Sequence, residues 1–526
     1  MFSLVGSDSV RAFFYIVCLH WNYFLRLGGF IQSLSCLGHF IAKACVLRYT
    51  EEECLGGGDV VGRSAIVLAA GLGTRMKSKR HKVLHEVCGK PMILHILDEL
   101  DQLELDQVIV VVGQQREAVQ ALVGHRAEIA YQSEQLGTGH AVQAAVPLLR
   151  QDVETTIVLY GDAPLIRAQT ISALLTEREQ THSAACVLTA KVVNPHGLGR
   201  VILDNQDHVE RVVEEKDASA AEKQINLINT GIYAFDTMHL VRALARLQPD
   251  NAQGEYYLTD TLSILRDECQ NVVSLQVEDA DEIASVNDLV QLAEVERLMR
   301  RQICHSLMRE GVTIVNPDHT YIGPNVKIGR DTVVYPGVIL EGNTVIGEDC
   351  VIGSNTRLVD VVVHDRVRVE QSVVYESEIE ESASVGPFAY IRPQSHIGAR
   401  VKIGDFVEIK KSQIGEDTKI SHLAYVGDAI VGKRVNIGCG VITVNYDGKD
   451  KHQTLIGDDS FVGSNVNLIA PLSIGDGAYL CAGSTITDEI PTDGFAIART
   501  RQVTKADYVK SWRKSRIDKD SKDEEA

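Results

Sequence analysis

No C-x-x-C pair occurs anywhere in this 526-residue chain, so its eleven cysteines suggest neither a zinc knuckle nor a disulfide framework. A reducing cytoplasm is the simplest compartment for such scattered thiols. Positive charge is also in short supply. With 52 Lys and Arg against 71 Asp and Glu, the formal net charge is −19, which argues against a broad nucleic-acid surface. An anionic ligand would have to be met by a few local Lys and Arg. The aromatic-rich leader, residues 1–60, lacks a bilayer-length apolar run. Its longest uncharged stretch, Leu27 to Ala42, falls short of the roughly 20 residues that span a membrane, and it contains Gly, Gln, Ser and His. A compact signal-peptide core is not evident either. Three readings of residues 1–60 stay open: an upstream translation start, a family-specific extension, or a membrane or targeting segment. No function is built on them.

What is present describes an ordinary soluble protein, 45 % hydrophobic and 23 % charged, too long for one core and suited to about three domains. Its organising feature is a ladder of aliphatic residues six apart: Ile322, Ile328, Val334, Leu340, Ile346, Ile352 and Leu358. The ladder resumes at Val385, Ile391, Ile397, Ile403 and Ile409, and again at Ile456, Val462, Leu468, Ile474, Leu480 and Ile486. A step of six fits neither the 3.6 of a helix nor the 2 of a simple strand. It fits a coil of short strands, each side contributing one inward aliphatic residue before a corner, which is the hexapeptide pattern of a parallel β-helix.

From Ser64 onward the N-terminal half reads differently. Ala65–Ala70, Val108–Val112 and Thr156–Tyr160 are short buried strands alternating with helical patterning, which predicts a doubly wound, Rossmann-like α/β domain with a mostly parallel sheet. Ligands in such folds bind beyond the carboxyl ends of the strands. There lie both Asp162 and a Gly-rich turn, Gly71-Leu72-Gly73-Thr74-Arg75-Met76, whose backbone could approach phosphates if a helix started behind it. Alone, the turn is equally well a tight connection. In order along the chain follow Lys82, Gln132-Ser-Glu-Gln-Leu-Gly-Thr-Gly-His140, Tyr160-Gly-Asp-Ala-Pro-Leu165, Gly197-Leu-Gly-Arg200, Val213-Glu-Glu-Lys-Asp217 and Ile228-Asn-Thr-Gly231.

This ordered set resembles the sugar-1-phosphate nucleotidyltransferases. The run Gln253-Gly-Glu-Tyr-Tyr-Leu-Thr-Asp260 narrows the resemblance to the N-acetylglucosamine-1-phosphate uridyltransferase type. The resemblance implies that a sugar-1-phosphate oxygen attacks the α-phosphorus of UTP and that pyrophosphate leaves, with catalysis resting on alignment and charge neutralisation. It implies Mg²⁺ held by Asp162 and Asn287, and Arg75 and Lys82 against the triphosphate. Leu68, Ala69, Ala70, Gly71, Gln132, Gly137 and Thr138 would frame the uridine, beside Tyr160 and Gly161. Gly199, Glu214 and Asn229 would hold the sugar. For Asn287, capping of the following helix is the competing role.

A second chemical site is expected where the ladder is interrupted, since loops leaving a solenoid are where function tends to sit. Arg392 and Lys410 suit the phosphate of a phosphorylated amino sugar. His422, a residue type that ionises near pH ~6.5 when unperturbed, suits removal of the amine's proton as it attacks a thioester. Tyr425 and Asn436 would position sugar hydroxyls. This pattern resembles the acetyltransferase half of the bifunctional glucosamine-1-phosphate acetyltransferase / N-acetylglucosamine-1-phosphate uridyltransferase family, a match running from about Ser64 to about Trp512. The family's coil is a left-handed β-helix that forms homotrimers, with acetyl-CoA between neighbouring coils. By that likeness Cys439, Asn445, Tyr446, Ser464, Ala482 and Arg499 match coenzyme contacts and Lys451 a second phosphate contact. Cys439 stands where the family often carries Ala, and sensitivity to alkylation is expected there.

The expected map is an unmatched extension at 1–60, a uridylyltransferase domain at 61–287, a linker helix at 288–310, a β-helix acetyltransferase at 311–503 and a charged tail at 504–526, frayed beyond Arg516. The expected activity is acetyl-CoA-dependent N-acetylation of glucosamine-1-phosphate followed by uridylyl transfer from UTP, in the cytoplasm, on small-molecule substrates and without nucleic acid or membrane insertion. A uridylyltransferase on a purely structural stalk, and a catalytically silent regulatory subunit, are the alternatives.

Overall fold

The structure, a computed structural model, describes residues 62–523 apart from 72, 115 and 252, with side chains described as far as residue 516. The expectations for residues 1–60 lie outside the described residues. Among the described residues, no helix is long and apolar enough to cross a membrane.

Strand β1 (Gly62–Ala69) is the centre of the α/β sheet, buried at all but one position, as expected of a strand covered on both faces. It pairs in parallel with β4 (Gln107–Val112) on one side and β6 (Val153–Tyr160) on the other, and β5 (Glu128–Tyr131) continues the parallel run beyond β4. Alternation along β1 sends Ala65, Val67 and Ala69 into one core and Ile66 and Leu68 into another. The first core is closed by α1 (Met92–Leu100), α2 (Arg116–Val123) and α4 (Ala168–Gln180). The second is closed by α3 (Thr138–Ala145), α5 (Thr237–Leu244) and α6 (Asp260–Asp267).

The sheet is mostly parallel along its main path, as the sequence pattern predicts, with one strand reversed. β10 (Leu227–Asp236) runs antiparallel to both β6 and β7 (Ala185–Lys191), and the hairpin of β8 (Arg200–Leu203) and β9 (Val209–Val213) pairs with β10. Parallel neighbours need a crossover, usually a helix. Between β7 and β10 the chain builds the β8–β9 hairpin instead, so β10 returns in the opposite sense. β11 (Val272–Gln276) then adds in parallel to the β7 edge.

Helix α7 (Leu289–Arg309) joins the halves. Its Val295 and Met299 pack against Met76, Val87 and Met92, while Cys304 and Leu307 enter the core of the coil. Its N-cap is Asp288, whose carboxylate accepts from Val290 N and Gln291 N. Capping therefore makes no demand on the Asn287 side chain.

The coil is a three-sided prism of parallel sheets with eleven, ten and nine strands, the hexapeptide β-helix expected from the period of six and left-handed in class. The ladder continues through the first gap in the sequence pattern and through the second as far as the loop between Val444 and Thr454. Val363, Val369, Val374 and Ile379 fill the first gap, and Ile414, Ile420, Val426, Val431 and Ile437 the second, all buried. They were hidden because the step falls to five at five places, such as Leu358 to Val363 and Ile409 to Ile414. At these corners the left-handed residue comes two positions after the inward aliphatic: Asp360, Gln371, Glu376, Lys411 and Asp428, with φ between 38° and 54°. At the tail, α8 (Tyr508–Asp523) is helical where fraying was expected beyond Arg516; no Gly or Pro interrupts it.

Two candidate active sites

In the α/β half, the carboxyl ends of β1 and β6 open into a cavity of about 380 Å³. Its lining includes Leu68, Ala70, Gly71, Lys82, Gln132, Gly137, Thr138, Tyr160, Asp162 and Asn287, all expected site residues. Ala69 lies behind them in the core, and Gly161 N donates to Leu68 O at 2.9 Å, drawing β6 against the turn. The turn does not lead into an α-helix as expected. Only a single 3₁₀ turn follows (Thr74–Met76), with Gly73 at φ 60° and Lys77 at φ 49°. The next residues, Lys77-Ser-Lys-Arg-His81, crowd cations with no apolar period, and before α1 the chain forms only a second 3₁₀ turn (Lys82–Leu84) and the short antiparallel pair β2 (Glu86–Val87) and β3 (Lys90–Pro91). Donors for a phosphate are therefore loop N–H groups and side chains.

Lys82 is the hub. Its Nζ donates to Asn287 Oδ1 at 2.9 Å and pairs with Asp162 Oδ2, while Arg75 Nη2 donates to the same Asn287 oxygen at 2.8 Å. Val286 N donates to Asp162 O at 2.9 Å, fixing the Asn287 segment against the end of β6. Two acceptor oxygens, from Asp162 and Asn287, thus converge on one cation. The uridine side is shaped by Gly137, where φ is 115° and a Cβ would fall 2.5 Å from Tyr256 O. Leu258 N donates to Thr138 Oγ1 at 3.1 Å, which sets the 253–260 run against this pocket, with Glu255 reaching its lining. Tyr160 is half-buried at the cavity wall; burial first, and then the Asp162 charge, push its phenol well above the ordinary range. Gly199, Glu214 and Asn229 also meet. Asn229 N donates to Gly199 O at 2.9 Å, and a Cβ on Gly199 would sit 3.4 Å from the Glu214 carboxylate. Burial, then Asp217 and Asp260, push the Glu214 carboxyl up.

In the coil, two adjacent features carry the expected residues. On one face, Lys410 Nζ donates to Asp428 Oδ2 at 3.3 Å, and Asn445 Nδ2 donates to the same oxygen at 2.5 Å. Arg392 Nη1 donates to Glu408 Oε1 at 3.0 Å, and Tyr425 accepts from Asn445 at 3.4 Å. The loop ejected after Val444 folds back through a Tyr446–Lys451 bridge and brings Lys451 against Lys410. The nearness of Lys410 lowers the Lys451 pKa, as one cation does beside another. Tyr446 is exposed, its hydroxyl donating to Gly448 O.

Along the neighbouring edge the register stacks single residues turn upon turn. Ile403, Ile420, Ile437, Val462 and Leu480 pair in sequence, which places Asp405, His422, Cys439, Ser464 and Ala482 in one column. Asn465 N to Cys439 O at 2.7 Å and Gly483 N to Ser464 O at 2.9 Å hold the column together. Arg499 ends it, with Cδ 3.7 Å from where a Cβ on Gly483 would stand. Asn436 stands apart on the preceding face, in register between Lys419 and Phe461.

Family models match both halves: a MobA-like NTP transferase domain over residues 65–226, a GMPPB C-terminal domain over 375–458, and hexapeptide repeats of bacterial transferases over 325–360 and of succinyl-transferase over 453–488. The bifunctional protein GlmU of Geobacillus sp. (strain WCH70) is 52 % identical over 450 residues, covering 86 % of this chain and 98 % of that protein. The chain belongs to the GlmU family. GlmU of Brevibacillus brevis is also 52 % identical, over 85 % of this chain and 96 % of its own length, and that of Shouchella clausii 51 %, over 85 % and 99 %. As a GlmU-family enzyme the chain is bifunctional, a uridylyltransferase joined to an amino-sugar N-acetyltransferase, acting on small sugar phosphates with UTP and acetyl-CoA as co-substrates. The structure adds residues that the sequence reading passed over. Gln135 donates to Ala70 O at 2.5 Å, Glu255 lines the nucleotide cavity, and Glu408 and Asp428 anchor the cations of the coil. Gln135, Glu255, Glu408 and Asp428 all lie inside or beside motifs already visible, but their partners could be found only in three dimensions.

Proposed function

We propose that the 380 Å³ cavity performs uridylyl transfer and that the coil column performs acetyl transfer, each with the residues named above. In the cavity, Leu68 to Gly71, Gln132, Gly137 and Thr138 enclose the uridine, and Gly199, Glu214 and Asn229 take the sugar. The Asp162 and Asn287 oxygens, close enough to share one ammonium group, fit a hard cation that prefers oxygen ligands, and we assign them to Mg²⁺. When bound, the ion neutralises phosphate charge. Lys82 and Arg75 would then exchange their Asn287 contacts for triphosphate oxygens, holding the α-phosphorus in line with the sugar phosphate.

In the coil, Arg392, Lys410 and Lys451 receive the phosphate of glucosamine-1-phosphate, whose charge suits their crowding. Tyr425 and Asn436 orient the sugar. The coenzyme lies along Cys439, Ser464, Ala482 and Arg499, with Asn445 and Tyr446 beside it, and its thioester reaches the column at His422. There the imidazole takes the amine's proton as the amine attacks the thioester carbonyl. Among the described residues the exposed, stacked Phe461, Tyr479 and Phe495 (centroids 4.8 and 5.8 Å apart) form an apolar stripe suited to a second coil. On it we base a homotrimer. The coenzyme and nucleotide it consumes support a cytoplasmic enzyme, and the domain limits of 61–287, 288–310 and 311–503 follow the two chemistries.

The observation that carries this reading is the separation of the two residue sets onto different folds. Asp162→Asn is expected to abolish pyrophosphate release from UTP and N-acetylglucosamine-1-phosphate while sparing thiol release from acetyl-CoA, and His422→Ala to do the reverse. Loss of both activities in either variant would falsify the assignment.

A further inference from the structure

His422 is aimed by a neighbour one turn away. Asp405 and His422 are register partners on adjacent strands of the coil, and His422 Nδ1 lies 2.6 Å from Asp405 Oδ1. Both follow an inward isoleucine by two residues, Ile403 and Ile420, so the same corner geometry delivers both side chains to one edge. The corner itself is turned by Phe406 and Leu423, with φ of 58° and 39°, a conformation that bulky residues seldom adopt. The backbone N–H of Leu423 donates to Asp405 O at 2.9 Å, locking the two turns together at the height of the pair.

We propose that Asp405 is a positioning residue for acetyl transfer. It accepts the Nδ1 proton of His422, and so fixes the tautomer in which the Nε2 lone pair is free for the amine. A neutral imidazole has one N–H and one lone pair, and a carboxylate can only accept, so a bond at 2.6 Å assigns the proton to Nδ1. Once Nε2 has taken the amine's proton, the resulting imidazolium lies against a carboxylate that offsets its charge. The pairing draws the Asp405 carboxyl below its ordinary range, first through this hydrogen bond, which keeps it ionised and accepting. The groups around the pair leave Asp405 as the partner. Cys439 occupies the next turn of the column, Phe406 and Leu423 are apolar, and Lys402 and Lys419 on the same strands bring positive charge rather than an acceptor. This arrangement serves the same purpose as a base oriented by a buried acid in hydrolytic triads.

The inference rests on His422 being the base, and the test separates the two. In the full chain, Asp405→Ala should lower kcat for acetyl transfer about tenfold to a hundredfold, with KM for both substrates and the uridylyl activity held. Asp405→Asn, which keeps an oxygen facing Nδ1, should recover part of that rate. Imidazole ¹⁵N spectra of histidine-labelled protein, with His422 identified by its loss in His422→Gln, should show protonated Nδ1 in the parent and Asp405→Asn chains. In Asp405→Ala they should show redistribution toward protonated Nε2. An Asp405→Ala enzyme with unchanged kcat, or with an unchanged His422 tautomer, overturns the positioning role while leaving His422 as base. Full acetyl transfer by His422→Ala would instead remove the base on which the inference rests.

Discussion

The two halves assemble their sites over different distances along the chain. In the α/β domain, Lys82 and Arg75 meet Asn287 across 205 and 212 residues, so the cation cluster exists only when the whole domain and the start of α7 are in place. In the coil, His422 finds Asp405 across 17 residues, and Lys410 finds Asp428 across 18, one turn in each case. A solenoid contacts only its neighbours, so a site built on it is a local feature repeated outward from a column. The first site depends on global closure and the second on register.

The sharpest break of that comparison is Lys82→Met. The substitution removes both the bond to Asn287 and the pair with Asp162, leaving two acceptor oxygens facing each other beneath the phosphates. Uridylyl transfer should fall by about a thousandfold, the scale of losing one electrostatic contact to a transferring phosphoryl group. Acetyl transfer should persist, as measured by thiol release, because no coil contact passes through Lys82. A parallel collapse of both rates would mean that the long-range cluster holds the coil in order as well.

How much of each half was legible follows the same contrast. The coil showed in the sequence because an inward aliphatic every six residues is a one-dimensional signal. It vanished from the reading where corners shorten to five, as at Ile409 to Ile414, and where the loop after Val444 interrupts the period. The α/β site showed as an ordered set of short motifs, yet its mechanics did not. That Asp288 and not Asn287 caps α7, that the Gly-rich turn leads to a 3₁₀ turn, and that β10 runs backward between β6 and β7 all depend on tertiary closure. Asp405 and Asp428 were likewise unreadable as partners, because period alone does not say which two of many corners face the substrate.

A smaller effect is expected at Glu214, and it sharpens the contrast by pH. Burial, Asp217 and Asp260 hold its carboxyl above the usual range, so on acidification it takes up a proton earlier than ordinary carboxylates do. Protonation removes an acceptor for a sugar hydroxyl. KM for N-acetylglucosamine-1-phosphate should therefore rise severalfold as the pH falls from neutral toward that of ordinary carboxylates, while KM for UTP holds. Glu214→Gln should carry the higher KM at every pH and lose the dependence. A parent enzyme whose KM is flat through this range would remove Glu214 from the sugar site.

The mildest perturbation discriminates the halves by one thiol. Cys439 is exposed in the column between His422 and Ser464; among the other described cysteines Cys186, Cys304 and Cys350 are buried, Cys88 and Cys481 half-buried, and Cys269 exposed just past α6 in the other domain. A bulky maleimide on Cys439 would lie along the path assigned to the coenzyme. It should raise KM for acetyl-CoA severalfold with little change in uridylyl transfer. The same reagent on a Cys439→Ala chain still meets Cys269 and the half-buried Cys481, so persistence of the acetyl-CoA effect there would place its cause at a thiol other than Cys439. If Cys439 is fully modified and KM does not move, the coenzyme runs along a different edge of the coil. The role assigned to register, rather than the family to which the chain belongs, would then need revision.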